Sequence, residues 1–357
     1  MKKESYIGIM SGTSLDGIDV VLCRIDRYEC QLIHAEEYPF PSELKQRVLQ
    51  TIKGKTTLAQ IGRLHIELAE RFAEAVNAFL GTYDIDPKTV TAVGSHGQTL
   101  WHEPGGEFPF SMQLGDPSTL AARIRIPIVA DFRAKDIALG GQGAPLAPAF
   151  HQFLFQEVSE SIAVVNIGGM ANITIPGKEL IGYDTGPGNV LMDLWCRAHT
   201  GESYDKDGSW ARTGKVDFTL LDKMLAESYF HQPPPKSTGR EKFSEAWISH
   251  FIGKEPLRSE DIQRTLLELT AVTVCNELLR FQRDIAVLSG GGAKNTLLVE
   301  RIKALIPNIN VIIAENADML EAMMMAWLAF KRIHNEYINL KDVTGARENG
   351  ILGGIYR

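Results

Sequence analysis

Three glycine-bearing turns, each directly after a short apolar segment, constrain the fold of this chain most. The apolar segments are residues 6–10, 162–167 and 285–288. Segments of this length that are rich in β-branched residues and bounded by turn residues predict buried strands. Between the first two turns, apolar residues recur at helical spacing over 61–79, which predicts an amphipathic helix. Strands alternating with helices predict an α/β architecture.

The order of elements is repeated in the two halves of the chain. Each half opens with a strand, a turn of small residues and a return strand, at 20–25 in the first half and 173–175 in the second. We therefore expect two similar domains facing one another. The glycine-rich stretch 139–145 is the candidate boundary, because Gly and Pro redirect the backbone. The expected division is 1–135 plus about 345–357 for the first domain and 136–344 for the second.

Composition limits the classes of partner and compartment. The chain has 357 residues, which suits two domains of ordinary size. Acidic residues outnumber basic ones 44 to 37, for a net charge of −7, which argues against nucleic acid or an anionic membrane as the main partner. The 4 cysteines show no CxxC spacing, as expected in a reducing compartment. The longest apolar run, 322–330, is far shorter than the ~20 residues of a membrane helix. These features predict a soluble, cytoplasmic protein.

The first glycine turn, residues 10–19, carries groups that suit phosphate. Glycines allow close approach of the backbone, and several N–H groups of such a turn can point at phosphate oxygens. The turn is not a Walker A loop, because no Gly-Lys-Ser/Thr follows. Asp16 and Asp19 could hold Mg²⁺ directly or through water. The alternative is a tight hairpin turn with solvated aspartates.

The second and third turns lie at 166–172 and 289–295, and neither of them alone distinguishes a ligand site from an ordinary turn. Ligands of α/β proteins are usually bound where strands end. Three such turns in this order therefore predict a nucleotide held between two domains.

Asp184 lies in a stretch of flexible residues, 182–189. A carboxylate on a rigid turn can act as a general base when it reaches its proton donor. The alternative is that Asp184 caps the helix that follows at 190, although Asn189 could cap that helix equally well.

A loop without an assigned role is expected at 231–240. Three consecutive prolines at 233–235 exclude regular pairing there.

Polar side chains that follow apolar segments are candidates for contact with a polyol. His96, Gln98 and Asp116 are of this kind, and a lone histidine is more often a hydrogen-bonding group than a catalyst. Arg133 could pair with a carboxylate of a ligand, or it could form a surface salt bridge. Glu321 lies in an apolar helix, where an unpaired carboxylate is costly, so we expect it to face a polar cleft or a partner.

Taken together, the motifs resemble a known family, in family order and over most of the chain. They are IGIMSGTSLDGID (7–19), GSHGQT (94–99), LGD (114–116), ADFR (130–133), NIGGMAN (166–172), DTGPGN (184–189) and SGGGAKN (289–295). The chain resembles the 1,6-anhydro-N-acetylmuramic acid kinases, which belong with other sugar kinases, heat-shock chaperones and actin. The resemblance implies two similar domains of the actin-like, ribonuclease-H-like kind, with ATP and substrate in a cleft between them.

The resemblance also implies roles for single residues. Asp184 matches the catalytic base. Residues implied to bind ATP are Gly12, Thr13, Ser14, Leu15, Asp16, Gly17, Ile18, Asp19, Gly168, Gly169, Asn172, Gly290, Gly291, Gly292 and Asn295. Residues implied to bind the sugar are His96, Gln98, Asp116, Arg133, Asp184 and Glu321, and Asp16 and Asp19 are the candidates for Mg²⁺. Members of this family are cytoplasmic homodimers that act on amino sugars in cell-wall recycling.

The implied chemistry explains why one carboxylate is enough. Asp184 would take a proton from water as the water attacks C1, as in an inverting glycosidase. The departing O6 would attack the γ-phosphoryl group of ATP, so phosphorylation captures the leaving group. One alternative is a sugar kinase of the same fold that opens no ring. Others are an ATP-driven interaction protein and a phosphate-ester hydrolase, and rapid ATP turnover without sugar would favour these two.

Overall fold

A computed structural model describes residues 3–12, 15, 17–158, 161–234, 236–240, 242–252 and 257–357. The strands are β1 Glu4–Met10, β2 Gly17–Ile25, β3 Cys30–Pro39, β4 Val90–Ser95, β5 Gln98–Glu103, β6 Phe110–Leu114, β7 Ile128–Ala130, β8 Ile162–Ile167, β9 Met170–Ile175, β10 Ile181–Pro187, β11 Ile285–Ser289, β12 Asn310–Ile313 and β13 Gly354–Tyr356. The α-helices are α1 Ser42–Ile52, α2 Leu58–Thr82, α3 Pro117–Ile124, α4 Phe132–Ala138, α5 Ala147–Leu154, α6 Val190–Thr200, α7 Phe218–Leu225, α8 Glu245–Ile252, α9 Ser259–Phe281, α10 Thr296–Leu305, α11 Leu320–Ile333 and α12 Lys341–Thr344.

The chain divides into two compact units. Unit 1 comprises Met1–Leu154 and Met319–Arg357, and unit 2 comprises Phe155–Asp318.

Unit 1 is built on a six-stranded sheet with the order β13-β7-β4-β1-β2-β3. β1, β2 and β3 are antiparallel neighbours, whereas β4 and β7 add in parallel beside β1. On one face, side chains of α2 such as Phe72 pack against Ile7 and Val93 of the sheet. On the other face lies α11, and a Cβ at Gly8 or Gly94 would overlap a carbonyl oxygen of that helix. Glycine at these two positions therefore allows the close packing of α11 on the sheet.

Unit 2 is built on a five-stranded sheet with the order β10-β9-β8-β11-β12. β8, β9 and β10 are antiparallel neighbours, and β11 and β12 add in parallel beside β8. One face of the sheet packs on α9, through residues such as Val165, Leu266 and Leu288.

β13 pairs antiparallel with β7 at the edge of the first sheet. The other five strands of that sheet have the same plan as the five of the second, which is three antiparallel strands with two parallel ones beside the first strand. This common plan confirms the predicted mixed α/β class. It also accounts for the repeated order of strand, turn and return strand in the sequence.

The division into units differs from the expected domain boundaries. Residues 136–154 and 319–344, expected in the second domain, belong to unit 1. The physical reason is packing, since Phe150 and Phe153 of α5 lie 5.6 and 5.5 Å, between ring centroids, from Trp327 of α11. The glycine-rich stretch 139–145 lies inside unit 1, where the Gly143 N–H donates to Asp136 Oδ2 at 2.7 Å.

In the part of the chain that the structure describes, no helix combines the length and the apolar character needed to cross a membrane.

Candidate active site

In unit 1, His96 and Arg133 form a buried hydrogen-bonded pair. His96 follows β4 and Arg133 lies in the first turn of α4. Arg133 Nε donates to His96 Nε2 at 3.0 Å, and His96 Nδ1 lies 2.9 Å from the carbonyl oxygen of Gly97. Burial, together with the positive charge of Arg133, lowers the pKa of His96 to about 3. His96 is therefore neutral, with its proton on Nδ1, and it orients the guanidinium group of Arg133.

Glu321, in the first turn of α11, lies near enough to Arg133 for their charges to interact, and so does Asp136 of α4. Burial raises the pKa of Glu321, and the positive charge of Arg133 opposes that increase. Among the described residues, Glu321 forms no hydrogen bond. Arg133 Nη1 donates to Gly143 O at 2.8 Å. Two predicted sugar-binding groups of opposite charge are thus brought together in unit 1.

Gln98 and Asp116 each form side-chain hydrogen bonds within unit 1. The Ser11 hydroxyl donates to Gln98 Oε1 at 2.8 Å, and both side chains are buried. Asp116 is the N-cap of α3, and its Oδ2 accepts from the N–H of Thr119 at 2.7 Å and from the Thr119 hydroxyl at 2.6 Å. Asp116 therefore has a structural role, and its contact with sugar stays a prediction.

The first glycine turn is described only in part. Thr13, Ser14 and Asp16 lie outside the described residues. The side chains of Leu15 and Ile18 are buried in the core of unit 1, so these residues can offer a ligand only their backbone. Leu15 has a positive φ of 56°, and its N–H donates to the carbonyl oxygen of Gly12 at 3.2 Å.

Asp19 lies near the start of β2, two residues after Gly17. Asp19 lies opposite Glu37 of β3 in the register of the antiparallel pair. Like charges placed directly opposite each other are unfavourable. A cation near Asp19 would offset this repulsion. The described residues contain no group of three or more His, Cys, Asp or Glu side chains suited to a metal.

In unit 2, the turn at Gly168 and Gly169 joins β8 to β9 and packs against the segment that follows β10. The N–H of Asn189 donates to Gly168 O at 2.8 Å, and the N–H of Gly188 donates to Gly169 O at 2.9 Å. The side chain of Asn189 donates to Ile167 O at 3.3 Å and does not cap α6. Backbone hydrogen bonds thus fix the motifs at 166–172 and 184–189 to each other.

The third glycine turn follows β11. Gly290 has a positive φ of 76°, and a Cβ at Gly292 would overlap Ile167, so both positions require glycine. At Gly291 a Cβ would make only an ordinary contact, with Asn189 Nδ2 at 3.8 Å. Asn295 is the N-cap of α10, and its Oδ1 accepts from the N–H of Leu298 at 3.1 Å. The predicted nucleotide contact of Asn295 stays a prediction beside this capping role.

Asp184 lies on β10 opposite Asn172 of β9, at a bulge in the strand pair. Its Oδ2 accepts from the N–H of Thr238 at 3.0 Å. Its own N–H donates to Lys236 O at 3.2 Å, and its carbonyl oxygen accepts from the Tyr229 hydroxyl at 2.8 Å. The N–H of Thr238 thus holds the carboxylate in a fixed position, which a general base requires in order to reach its proton donor. Asp184 does not cap α6.

A buried ion pair holds the segment that contacts Asp184. Lys236 Nζ lies 3.2 Å from Glu277 Oε1, with side chains only 3% and 10% exposed. Glu277 Oε2 also accepts from the Tyr183 hydroxyl at 2.7 Å, and burial raises the pKa of that hydroxyl. Glu277 lies on α9, so the segment is tied to the central helix of unit 2.

Near Asp184, two buried side-chain oxygen atoms find no hydrogen-bond partner among the residues that the structure describes. They are Asn172 Oδ1 and Thr238 Oγ1. Buried polar atoms in native proteins are nearly always satisfied, so a water molecule or ligand group is the expected partner. Sequence reasoning missed Tyr229, Lys236, Thr238 and Glu277. The proline run predicted a loop at 231–240, but only the fold brings that loop to Asp184.

Comparisons with known proteins find relatives over the full length of the chain. A family model described as anhydro-N-acetylmuramic acid kinase matches residues 4–357. The anhydro-N-acetylmuramic acid kinase of Sulfurovum sp. (strain NBC37-1) is 61% identical over 100% of both chains. That of Vibrio vulnificus (strain CMCP6) is 46% identical, over 99% of this chain and 98% of the relative.

Among solved structures, component A of (R)-2-hydroxyglutaryl-CoA dehydratase from Acidaminococcus fermentans superposes with a TM-score of 0.50 at 11% identity, over 93% of this chain and 99% of that chain. At that identity the likeness concerns the fold alone. The protein is a two-unit α/β protein of this fold class, because its two sheets are similar. Glycine turns follow β8 and β11, and the Asp184 carboxylate on β10 accepts a backbone hydrogen bond. Within that class, the full-length match and the relatives identify the family. The chain belongs to the anhydro-N-acetylmuramic acid kinase family.

Proposed function

We propose that the protein opens the anhydro ring of 1,6-anhydro-N-acetylmuramic acid with water and transfers the γ-phosphoryl group of ATP to O6. The products are N-acetylmuramic acid 6-phosphate and ADP. Family membership supports the substrate and the kinase reaction. The observation that carries the ring-opening step is the carboxylate of Asp184, held by the N–H of Thr238 at 3.0 Å.

In this proposal Asp184 is the general base. It takes a proton from water as the water oxygen bonds to C1 and the bond from C1 to O6 breaks. O6 then bonds to the γ-phosphorus of ATP, and ADP leaves. The phosphoryl group thus takes the place of a proton on the leaving oxygen, and no separate acid is needed.

The unit 1 cluster of Arg133, His96 and Glu321 is assigned to the sugar. A planar guanidinium group suits the carboxylate of N-acetylmuramic acid, because two parallel N–H bonds can form. Neutral His96 holds Arg133 in place, which supports this assignment. Gln98 and Asp116 remain candidates for contact with the sugar hydroxyl groups.

ATP is assigned to the three glycine turns, and Mg²⁺ to the first of them. Asp19, which lies opposite Glu37, fits a cation that prefers few carboxylates and several waters, and Asp16 remains a candidate beside it. When bound, Mg²⁺ would neutralise charge on the phosphates. We also propose that the protein is a cytoplasmic homodimer acting in amino-sugar metabolism and cell-wall recycling.

The test is a reaction with ATP, Mg²⁺ and the anhydro sugar, followed by mass spectrometry of the sugar and by measurement of ADP. We expect one ADP for each phosphorylated sugar and little ADP without sugar. Release of ADP at the same rate without sugar would contradict the proposal and favour an ATPase. Phosphorylation only of sugars that lack the anhydro ring would favour the alternative of a kinase without ring opening.

A further inference from the structure

The turn at Gly168 and Gly169 does not need glycine for its own fold. Neither residue has a left-handed backbone, and a Cβ at Gly168 would find its nearest neighbour, Met170 O, at 3.6 Å. A Cβ at Gly169 would lie 3.7 Å from Arg240 Nη2, its nearest neighbour. This differs from Gly292, where a Cβ would overlap Ile167. Small residues in an open turn are explained when another molecule comes close to the backbone.

The same turn offers an unused hydrogen-bond donor. The carbonyl oxygens of Gly168 and Gly169 accept backbone bonds from residues 188–190. The N–H of Gly168 donates to Met170 O at 3.2 Å. The N–H of Gly169 donates to no acceptor among the described residues, and Gly169 is partly accessible. A backbone N–H in a glycine turn is a donor suited to a phosphate oxygen.

Arg240 places a positive charge beside this donor. Its guanidinium group lies next to Gly169, and it forms no hydrogen bond or ion pair within the described part of the chain. An exposed arginine without a partner is often simply solvated. Here the guanidinium group lies over an open glycine turn instead of projecting away from the unit.

The position of Arg240 is fixed by its neighbours in sequence. Lys236 is anchored by the buried ion pair with Glu277, and the N–H of Thr238 donates to Asp184. After the arginine, the N–H of Phe243 donates to Gly239 O at 3.1 Å. One short segment therefore carries both a contact to the proposed base and a cation beside the glycine turn.

We propose that Arg240 binds the terminal phosphate of the nucleotide, together with the N–H of Gly169, and stabilises that phosphate during transfer. The inference rests on the proposed function and adds a residue to it. During transfer the bond between the γ-phosphorus and the ADP oxygen breaks and a bond to the sugar oxygen forms. The guanidinium group of Arg240 forms no covalent bond in this step and stabilises the charge spread over the three equatorial oxygens.

The test compares Arg240→Met and Arg240→Lys with Arg197→Met, a matched control at an exposed arginine in the last turn of α6. We expect kcat to fall about 100-fold or more in Arg240→Met, since removal of one preorganised donor has an effect of this size. Arg240→Lys should recover part of the loss, and Arg197→Met should keep the wild-type rate. Thermal unfolding of each variant checks that the fold is intact.

Nucleotide binding gives a second readout that does not require turnover. Affinity for ADP should be the same in wild type and Arg240→Met, whereas affinity for a non-hydrolysable ATP analogue should fall several-fold in the variant. A kcat within threefold of wild type would overturn the inference. A rise in the sugar KM alone would overturn it too, because Arg240 would then bind the sugar carboxylate. If the wild type makes no phosphorylated sugar, the proposed function fails, and the nucleotide comparison still tests Arg240.

Discussion

At the scale of single residues, backbone groups contribute to holding Asp184 in place. Its Oδ2 accepts from the N–H of Thr238, and its main chain is held by Lys236 and Tyr229. Backbone donors remain in place when a side chain is changed, so the carboxylate can be altered without loss of the local structure.

The first prediction concerns Asp184→Asn. The amide oxygen can still accept from the N–H of Thr238, but it cannot take a proton from water. Loss of a general base lowers a rate by roughly 10²–10⁴-fold, so we expect kcat to fall by that amount with nucleotide affinity unchanged. The control is Asp222→Asn, at an exposed aspartate of α7. An equal loss of nucleotide affinity in Asp184→Asn would instead place Asp184 at the metal.

The second prediction concerns His96 and pH. The folded pKa of about 3 lies below the ordinary value of 6.5, so the unfolded chain binds more protons between these pH values. Stability should therefore fall as pH is lowered from 6.5 towards 3, by at most about 1.4 kcal/mol per pH unit from this group. Urea unfolding at pH 7, 6 and 5 should give a flatter dependence for His96→Gln than for wild type.

Buried His151, whose pKa is lowered to about 4 by burial, acts in the same direction and remains in the variant. The variant curve should therefore keep some slope. Identical slopes for wild type and His96→Gln would show that His96 is not held neutral in the folded protein.

The sequence marks some residues around Asp184 as candidates for the site and gives no sign of others. Asp184 stands among glycines in a specific motif, so the sequence alone marks it as a candidate base. Lys236 and Glu277 are 41 positions apart and pair only because α9 packs against the segment after the prolines. No local pattern marks such a pair.

At the scale of elements, helix α3 shows that a side chain predicted to contact a ligand can also stabilise a helix. As a polar residue after an apolar segment, Asp116 is predicted to contact the sugar. In the structure it satisfies the N–H of Thr119, one of the free N–H groups at the start of the helix. Asp followed by Pro is a signal for the start of a helix, and the prediction of a sugar contact did not take it into account.

The third prediction follows from this cap. Asp116→Ala should lower the free energy of unfolding by about 1 kcal/mol, whereas Asp116→Asn should keep it, because Asn is also a good N-cap. Chemical denaturation of both variants measures the difference. Equal stability of Asp116→Ala and wild type would contradict the capping role. A higher sugar KM in Asp116→Asn at unchanged stability would support the predicted sugar contact as well.

Elements with a strong local signal were predicted close to their bounds. The helix expected over 61–79 is α2, and the strand expected at 162–167 is β8. Their apolar spacing decides their structure. The glycine-rich stretch 139–145 was less informative, because Gly and Pro mark a change of backbone direction whether or not a domain ends there.

At the scale of the whole molecule, the chain order of the units could not be read from local patterns. α11 follows unit 2 in sequence but packs on the sheet of unit 1, which Gly8 and Gly94 permit. This return explains why Glu321 and Arg133 belong to the same unit although 188 positions separate their numbers. The motifs predict the candidate site residues, and the fold decides which of them share a unit.

The central claim is that water opens the ring while the leaving oxygen is phosphorylated. It is tested most directly by running the reaction with ATP, Mg²⁺ and 1,6-anhydro-N-acetylmuramic acid in ¹⁸O-labelled water and weighing the product. We predict a sugar that carries a new phosphate and one oxygen from the solvent. A phosphorylated sugar without solvent oxygen would contradict the claim, and Asp184 would then be the base for a hydroxyl group of an ordinary kinase reaction.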